Sequence, residues 1–548
     1  MELNKKIIVL IVSILFSTIA FNAQTFPKFW IKLKDKNGTP YAVSTPSAFV
    51  TNKAIQRRAA HSVPFDQTDL PVTPAYITQI ESTPNVTVLY ASKWMNSIAI
   101  KVTSTVALTI SNATNAINSY SFVQGSNPTN KFKIVLEKPE EANTNTFMNR
   151  TTGSAYYGAA YWQAHQLDVD CMHGYGYRGQ GMTIAILDAG FNNINNHPAF
   201  DSLFARGGIL GTQDFVAGGQ SVYEDDPHGG EVLSCIAACV PNVMVGTAPR
   251  ANFWLLRTED AATETPSEEY NWIRGAEFAD SVGADILTTS LGYTTFDNSA
   301  YNQNYAGLNG KTYPMSIAAT MASRKGMFVL NAAGNEGQSA WQFIGVPADA
   351  DSICTVGAID STNVIAGFSS KGPTSDGRIK PDLVARGANA YVATSGGGYS
   401  PGNGTSFATP IMAGAVACFW QRFSTYSNMK VLDTLKHTAS LKLNPNNSYG
   451  WGIPDICAEP VGLKNYSLQQ TIFSVYPNPF SGKVKVKMVN TTTEPYTIEV
   501  VNIVGTSVKT IKSSDQELTL DLSSYATGVY FIKVSTKSGS AMQKVVKE

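Results

Sequence analysis

Thr183-Ile184-Ala185-Ile186-Leu187-Asp188-Ala189-Gly190 is the stretch on which the reading of the fold turns. A short apolar run without polar alternation reads as a strand buried on both faces, the habit of parallel sheets. It ends at a carboxylate, followed by a glycine that lets the chain turn away. Similar runs recur at residues 253–256, 286–289, 327–330 and 353–356, separated by stretches of helical character. Strands alternating with helices predict βαβ units. Residues from about 151 to 465 therefore read as an α/β domain with a mostly parallel sheet flanked by helices.

The texture differs on either side. Residues 24–150 are polar, with strand-like runs such as 29–32 and 133–136 between turn-rich stretches, and are expected to form an α+β region. In the tail, 471–548, Lys483-Val484-Lys485-Val486-Lys487-Met488 alternates strictly, the period of a half-buried strand. Further strands fit 497–501 and 529–534, with turns at Gly505 and Gly528, so an all-β, sandwich-like domain is expected. Its nine basic and six acidic residues, net +3, are spread along the strands and read as a solvated face.

At the N-terminus, Lys5 and Lys6 precede a fourteen-residue apolar run, 7–20. A membrane span needs about 18–20 such residues, so this run is too short. Basic, then apolar, then small residues read as a secretory signal over 1–23, with cleavage near 20–24. The other apolar stretch, 411–420, is ten residues long and reads as a buried core helix. No integral membrane segment is expected once the signal is removed.

At 548 residues the chain should hold three or four structural units, on a prior of about 150 residues each. Forty-one basic residues balance forty-one acidic ones, which excludes a general polyanion binder and argues against a nucleic-acid partner. Charged residues make only 15% and apolar ones 43%, enough for a large core. The six cysteines, 171, 235, 239, 354, 418 and 457, allow fifteen complete pairings, and the sequence does not choose among them. Cys235 and Cys239 are spaced to share one helical face, and no Cys/His metal spacing appears.

Three segments carry polar residues where strands end or helices begin. Asp188 closes the first strand, at the end of an α/β strand where ligands collect. In Asp226-Pro227-His228-Gly229-Gly230-Glu231, a helical pattern starts at the histidine, and two glycines allow close backbone approach. His197 reads instead as a turn residue and His437 as a surface helix position. In Gly402-Asn403-Gly404-Thr405-Ser406-Phe407-Ala408-Thr409-Pro410, a serine stands in the first turn of the buried helix, among unpaired N–H groups. Each segment alone also reads as an ordinary cap or turn.

Together, Asp188, His228 and Ser406 supply the parts of an acyl-transfer site. A serine hydroxyl needs a base as it attacks; neutral imidazole serves near pH 7, and a carboxylate fixes the imidazole tautomer. The tetrahedral intermediate needs donors aimed at its oxyanion. Asn335, in Leu330-Asn331-Ala332-Ala333-Gly334-Asn335-Glu336-Gly337, could offer a side-chain N–H, with the Ser406 backbone N–H as the second donor.

The order Asp188…His228…Asn335…Ser406, in the settings D-A-G, H-G-G, A-A-G-N-E-G and G-T-S-F-A-T-P, resembles the subtilisin-like serine proteases. So do Ala284-Asp285-Ile286-Leu287-Thr288-Thr289-Ser290-Leu291-Gly292, Phe368-Ser369-Ser370-Lys371-Gly372-Pro373 and Asp376-Gly377-Arg378-Ile379-Lys380-Pro381-Asp382. The resemblance covers about 155–460 and implies a secreted serine endopeptidase working through an acyl-enzyme on protein or peptide substrates. It implies that Asp188 orients the imidazole, His228 is base and then acid, Ser406 attacks, and Asn335 completes the oxyanion hole. Ser290, Leu291 and Gly292 would form the edge along which substrate lies, and Ala332, Ala333 and Gly334 part of the primary pocket. Two positions depart from the family: Ala189 and Gly230 stand where a Ser or Thr, and a Thr, are usual.

The resemblance also implies that residues 24–150 are a propeptide, a partner of the enzyme's own cleft, with cleavage near 149–153. The tail resembles the C-terminal sorting domains of the type IX secretion system of Bacteroidetes-type bacteria. Matching parts are Tyr476-Pro477-Asn478-Pro479-Phe480, Val504-Gly505, Leu520-Asp521-Leu522-Ser523, Gly528-Val529-Tyr530 and Lys544-Val545-Val546-Lys547. Secreted or surface localisation, with that machinery as a partner, follows as an expectation. No cofactor is required for the chemistry; calcium is frequent in the family, and its ligands stay unassigned. The alternatives are a catalytically inactive scaffold used for binding or adhesion, and a sedolisin-type enzyme with Glu in place of His. A histidine base predicts activity rising through about pH 6–7, from an ordinary pKa of ~6.5, whereas the carboxylate enzyme would work best near pH 4.

Overall fold

Every residue of Thr183–Asp188 is buried, because the strand lies in the middle of a sheet covered on both faces. The structure is a computed structural model that describes residues 28–102, 117–124, 154–458, 473–489, 495–502, 506–536 and 539–548. The signal segment, the run at 133–136, the cleavage region at 149–153 and Gly505 lie outside the described residues.

Among the described residues the chain divides into two units, 1–460 and 461–548. The first begins with an antiparallel sheet of four strands, β1 (Lys28–Leu33), β2 (Val86–Ser92), β3 (Ser97–Val102) and β4 (Ile117–Gln124), in the order β2-β3-β1-β4. Helices α1 (Asn52–Ala60) and α2 (Pro74–Glu81) complete this α+β part. The central sheet follows: β5 (Thr183–Asp188), β6 (Ile209–Asp214), β7 (Asn252–Arg257), β8 (Ile286–Thr289), β9 (Phe328–Ala332), β10 (Cys354–Ile359) and β11 (Leu383–Arg386). Its seven strands run β11-β10-β9-β8-β5-β7-β6, and every pairing is parallel.

Helices α3 (His228–Ala237), α4 (Pro266–Val282), α5 (Pro314–Arg324) and α6 (Thr405–Arg422) lie in this unit. The stretch expected to be a core helix sits inside α6, where Ile411, Ala415, Phe419 and their neighbours are sealed against the sheet. α4 begins at a capping box, in which the Thr265 N–H donates to Glu268 at 2.7 Å, and ends at Gly283 in the left-handed region.

The α+β part packs on α4 and α5 through buried charge. Arg58 bonds Asp69 at 2.7 Å and Asp280 of α4 at 2.6 Å, while Arg57 also meets Asp280. Lys325 reaches back to Asp69 at 2.7 Å, and the Glu277 carboxylate accepts the N–H groups of Lys93 and Trp94 at 3.0 and 3.1 Å. The guanidinium and ammonium groups outweigh burial and hold the Asp69 carboxyl down, to about 2. Replacing one partner leaves the others charged, buried and unmatched. Asp280→Ala should therefore cost the folded chain about 3–5 kcal/mol, read by urea unfolding of the full-length protein. A cost below about 1 kcal/mol would place that interface's strength elsewhere, in the range of exposed pairs.

Cys171 and Cys457 form a disulfide, which settles one pairing that the sequence left open; Cys235, Cys239, Cys354 and Cys418 are free. Cys235 and Cys239 do not share a helix: α3 stops at Ala237, Ala238 turns to ψ 138°, and Cys239 pairs with Val245 in a two-residue strand. His197 is a turn residue as expected, its Nδ1 accepting the Ala199 N–H at 3.0 Å, and His437 is exposed on its helix.

The second unit is all β. A sheet of β12 (Phe473–Tyr476), β13 (Lys483–Met488) and β16 (Glu517–Asp521) accompanies one of β14 (Tyr496–Asn502), β15 (Ser507–Ser513), β17 (Gly528–Thr536) and β18 (Gly539–Lys547). The alternation in β13 is real: Val484, Val486 and Met488 are buried and the three lysines exposed. They meet Ile498, Val500, Ile532 and Val534 in one core.

Candidate active site

Asp188 closes parallel strand β5, Ser290 and Asn335 follow the carboxyl ends of β8 and β9, and His228 and Ser406 lie in the first turns of α3 and α6. That edge is where the strand ends and helix N-termini of an α/β sheet point together. Asp188 is wholly buried, and its Oδ1 lies 2.8 Å from His228 Nδ1. The same oxygen accepts the Ala189 N–H at 2.8 Å, while Oδ2 has no partner among the described residues. Ala189 brings only a methyl group.

Two glycines let the loops carrying Asp188 and His228 touch. A Cβ on Gly229 would sit 2.3 Å from the Gly190 carbonyl and 3.0 Å from Asp188 Cβ, so any side chain would wedge the pair apart. A Cβ on Gly230 would lie 2.7 Å from Ile194 Cγ2. The departure at 230 is thus a packing exchange: Ile194 fills the space a threonine would need.

His228 is enclosed, its side chain 12% exposed, and its N–H is capped by Asp226 at 2.8 Å. Burial alone would lower its pKa, but the Asp188 charge and hydrogen bond, with Glu231 and Asp226 behind them, push it up to about 9. The expectation of activity rising at pH 6–7 takes the imidazole as unperturbed, whereas the carboxylates around it displace its pKa upward. If the neutral imidazole serves as base, kcat/KM should climb with pH along a limb displaced above 6.5, toward about 9. A pH series on a peptide substrate checks this; a limb at or below 6.5 would deny the imidazole its carboxylate partner. The same shift means that the pair stabilises the fold below 6.5 and loses that contribution as pH rises through about 9.

Ser406 is the second residue of α6, behind Gly404 as N-cap. Its Oγ donates to the Ser290 carbonyl at 3.4 Å, and Ser290 Oγ donates to the Ser406 carbonyl at 2.8 Å. His228 Nε2 makes no hydrogen bond among the described residues. The ring of Phe407, next to Ser406, is centred 6.2 Å from the imidazole. The structure therefore joins Asp188 to His228 directly, and turns the Ser406 hydroxyl to Ser290, while the neighbouring Phe407 ring faces the imidazole.

Asn335 is exposed at the same mouth. Its Oδ1 accepts both the Thr405 N–H at 2.9 Å and Thr405 Oγ1 at 3.0 Å, and Thr405 Oγ1 accepts the Gly334 N–H at 3.2 Å. With its oxygen engaged, the amide presents Nδ2 as a donor. Thr405 stands in the quoted motif, but its part in fixing this amide has no sequence signal.

Along the edge, Leu291 and Gly292 make no backbone hydrogen bond among the described residues. Tyr293 then pairs with Val346 in both directions, at 2.9 and 3.0 Å. Of the three residues assigned to the pocket, Ala333 is fully buried and Ala332 5% exposed, so Gly334 offers most of the surface.

One group of carboxylates among the described residues is close enough to hold a cation: oxygens of Glu259, Glu264 and Glu268 lie within 4.8 Å of one another. Both Glu268 oxygens are already used, accepting Thr263 Oγ1 at 2.9 Å and the Thr265 N–H at 2.7 Å, and Tyr293 donates to Glu259. Burial pushes Glu259 up to about 7 and Glu264 to about 9. Glu268 thus already serves as the cap of α4 with both of its oxygens.

Comparison with known proteins agrees with this architecture. Residues 179–452 match the peptidase S8 domain of the Subtilase family. Subtilisin E of Bacillus subtilis (strain 168) is 33% identical over 297 residues, 54% of this chain and 69% of its own. The chain belongs to the subtilase family. The subtilisin of Bacillus pumilus is also 33% identical, over 96% of its length, and subtilisin BL of Lederbergia lenta 30%, over 95%. This subtilase is a serine peptidase by descent. Residues 28–145 match the peptidase S8 propeptide domain of Bacteroidota, and 474–548 match a secretion system C-terminal sorting domain. It is thus a zymogen addressed to secretion or the cell surface through the type IX system. No described helix is long and apolar enough to cross a membrane.

Proposed function

We propose that this subtilase is an endopeptidase that cleaves through an acyl-enzyme, with Asp188, His228 and Ser406 as its triad and Asn335 in its oxyanion hole. The observation that carries the reading is the 2.8 Å contact between the buried Asp188 and His228 Nδ1, which leaves Nε2 directed away from the carboxylate. In the reaction, Ser406 turns from the Ser290 carbonyl toward Nε2 and gives up its proton as Oγ attacks the substrate carbonyl. The imidazolium returns that proton to the departing amine, and a water, deprotonated by the same nitrogen, releases the acyl group. Asn335 Nδ2 and the Ser406 N–H receive the oxyanion. Substrate pairs as an added strand with 290–292 and sets the side chain ahead of the cleaved bond against Gly334.

Digestion of a peptide library tests this. The matured protein should cut internal bonds, and added residues 24–150 should slow it. A protein that binds the peptides and never cuts them would be the inactive scaffold.

A further inference from the structure

Arg257 ends β7 as Asp188 ends β5, and the two are register neighbours across the parallel pair. Its side chain is 10% exposed and its guanidinium reaches three separate segments. Nε donates to the Ala189 carbonyl at 3.1 Å, directly after Asp188. Nη1 meets Asp225, in the loop that runs into His228, at 3.0 Å, and Asp214, at the end of β6, at 3.1 Å. Asp214 is itself anchored: its Oδ1 accepts the N–H groups of Val216 and Ala217 at 2.7 and 3.1 Å.

We infer that Arg257 is a positioning residue, whose guanidinium ties the Asp188 turn to the His228 loop and so sets the carboxylate–imidazole contact. This rests on the triad reading and adds to it a residue outside the family motifs quoted above. The surroundings of the pair leave room for such a brace. Ala189 has no hydroxyl to brace its neighbour, Asp188 Oδ2 lacks a partner among the described residues, and glycines at 190 and 229 give the two loops contact without interlocking side chains. A planar fork with donors in two directions can hold a carbonyl and two carboxylates at once; a lysine ammonium on a flexible stem cannot keep that geometry.

The test uses matured enzyme whose active fraction is first counted by fluorophosphonate labelling, so that loss of the triad itself would show in the wild type. Arg257→Gln should lower kcat about ten- to a hundredfold, the scale of a misplaced catalytic group, with KM changed less than about threefold. Its acid limb should also move down toward the ordinary imidazole value, because a looser Asp188 stabilises the imidazolium less. Arg257→Lys keeps the charge and should recover less than half of the lost kcat. Asp225→Asn, at the more exposed end of the network, reads the same link if the Gln variant fails to fold, and should shift the limb in the same direction. Three results would overturn the inference: full rescue by Lys, a loss confined to KM, or an unmoved acid limb in folded Arg257→Gln or Asp225→Asn.

Discussion

Ser406→Ala is expected to abolish turnover, with kcat falling roughly 10⁶-fold, the loss known for removing this serine from a subtilisin. The size follows from the chemistry. An alanine leaves nothing for His228 to deprotonate, so the acyl-enzyme route closes and only water attack in a preorganised site remains. Binding should survive, because Ser290–Gly292 and Gly334 are untouched; a non-cleaved peptide should bind within a few fold of its wild-type affinity. Folding should survive too. Ser406 is not the cap of α6, a place held by Gly404, and its Oγ makes one long contact of 3.4 Å with Ser290. The precursor of this variant should stay uncut near 149–153, since it cannot process itself. Gel mobility of the purified precursor and steady-state kinetics check both statements. Residual cleavage within tenfold of the wild type would remove Ser406 from the mechanism.

Asn335→Leu is the second large effect. The amide oxygen is fixed by Thr405 from two directions, so Nδ2 is held in place before substrate arrives and spends nothing on reorganising. Removing one such donor costs about 10²–10³ in kcat, roughly 2.7–4 kcal/mol, a magnitude taken from the same donor in subtilisin. KM should change little, because the donor acts on charge that develops only in the transition state. Thr405→Val, which deletes the hydroxyl and keeps the backbone N–H, should weaken the same step less. If Asn335→Leu raised KM and left kcat alone, Asn335 would be a substrate contact and not an oxyanion donor.

Much of this was legible in the chain because local rules and chemistry agree at the same residues. The run at 184–187 is apolar throughout, so burial on both faces had one reading, and β5 is an inner strand of a parallel sheet. The β13 alternation left no freedom in face or register. What the sequence hid depends on contacts distant along the chain. The imidazole pKa depends on how tightly Asp188, forty residues away, encloses it with Asp226 and Glu231. Thr405 and Arg257 act through hydrogen bonds and ion pairs to loops that no periodicity connects to them. Cys239 was read onto α3 because spacing alone cannot show that the helix ends at Ala237. The disulfide was open for the same reason: its partners are 286 residues apart.

The most direct measurement is the intact mass of the matured protein after reaction with a fluorophosphonate, with the adduct mapped and its rate compared in His228→Ala. One adduct per chain, on Ser406 and formed at least about a hundredfold more slowly without the imidazole, is the outcome expected of a base-activated hydroxyl. An adduct elsewhere, or a Ser406 that reacts equally well without His228, would contradict it.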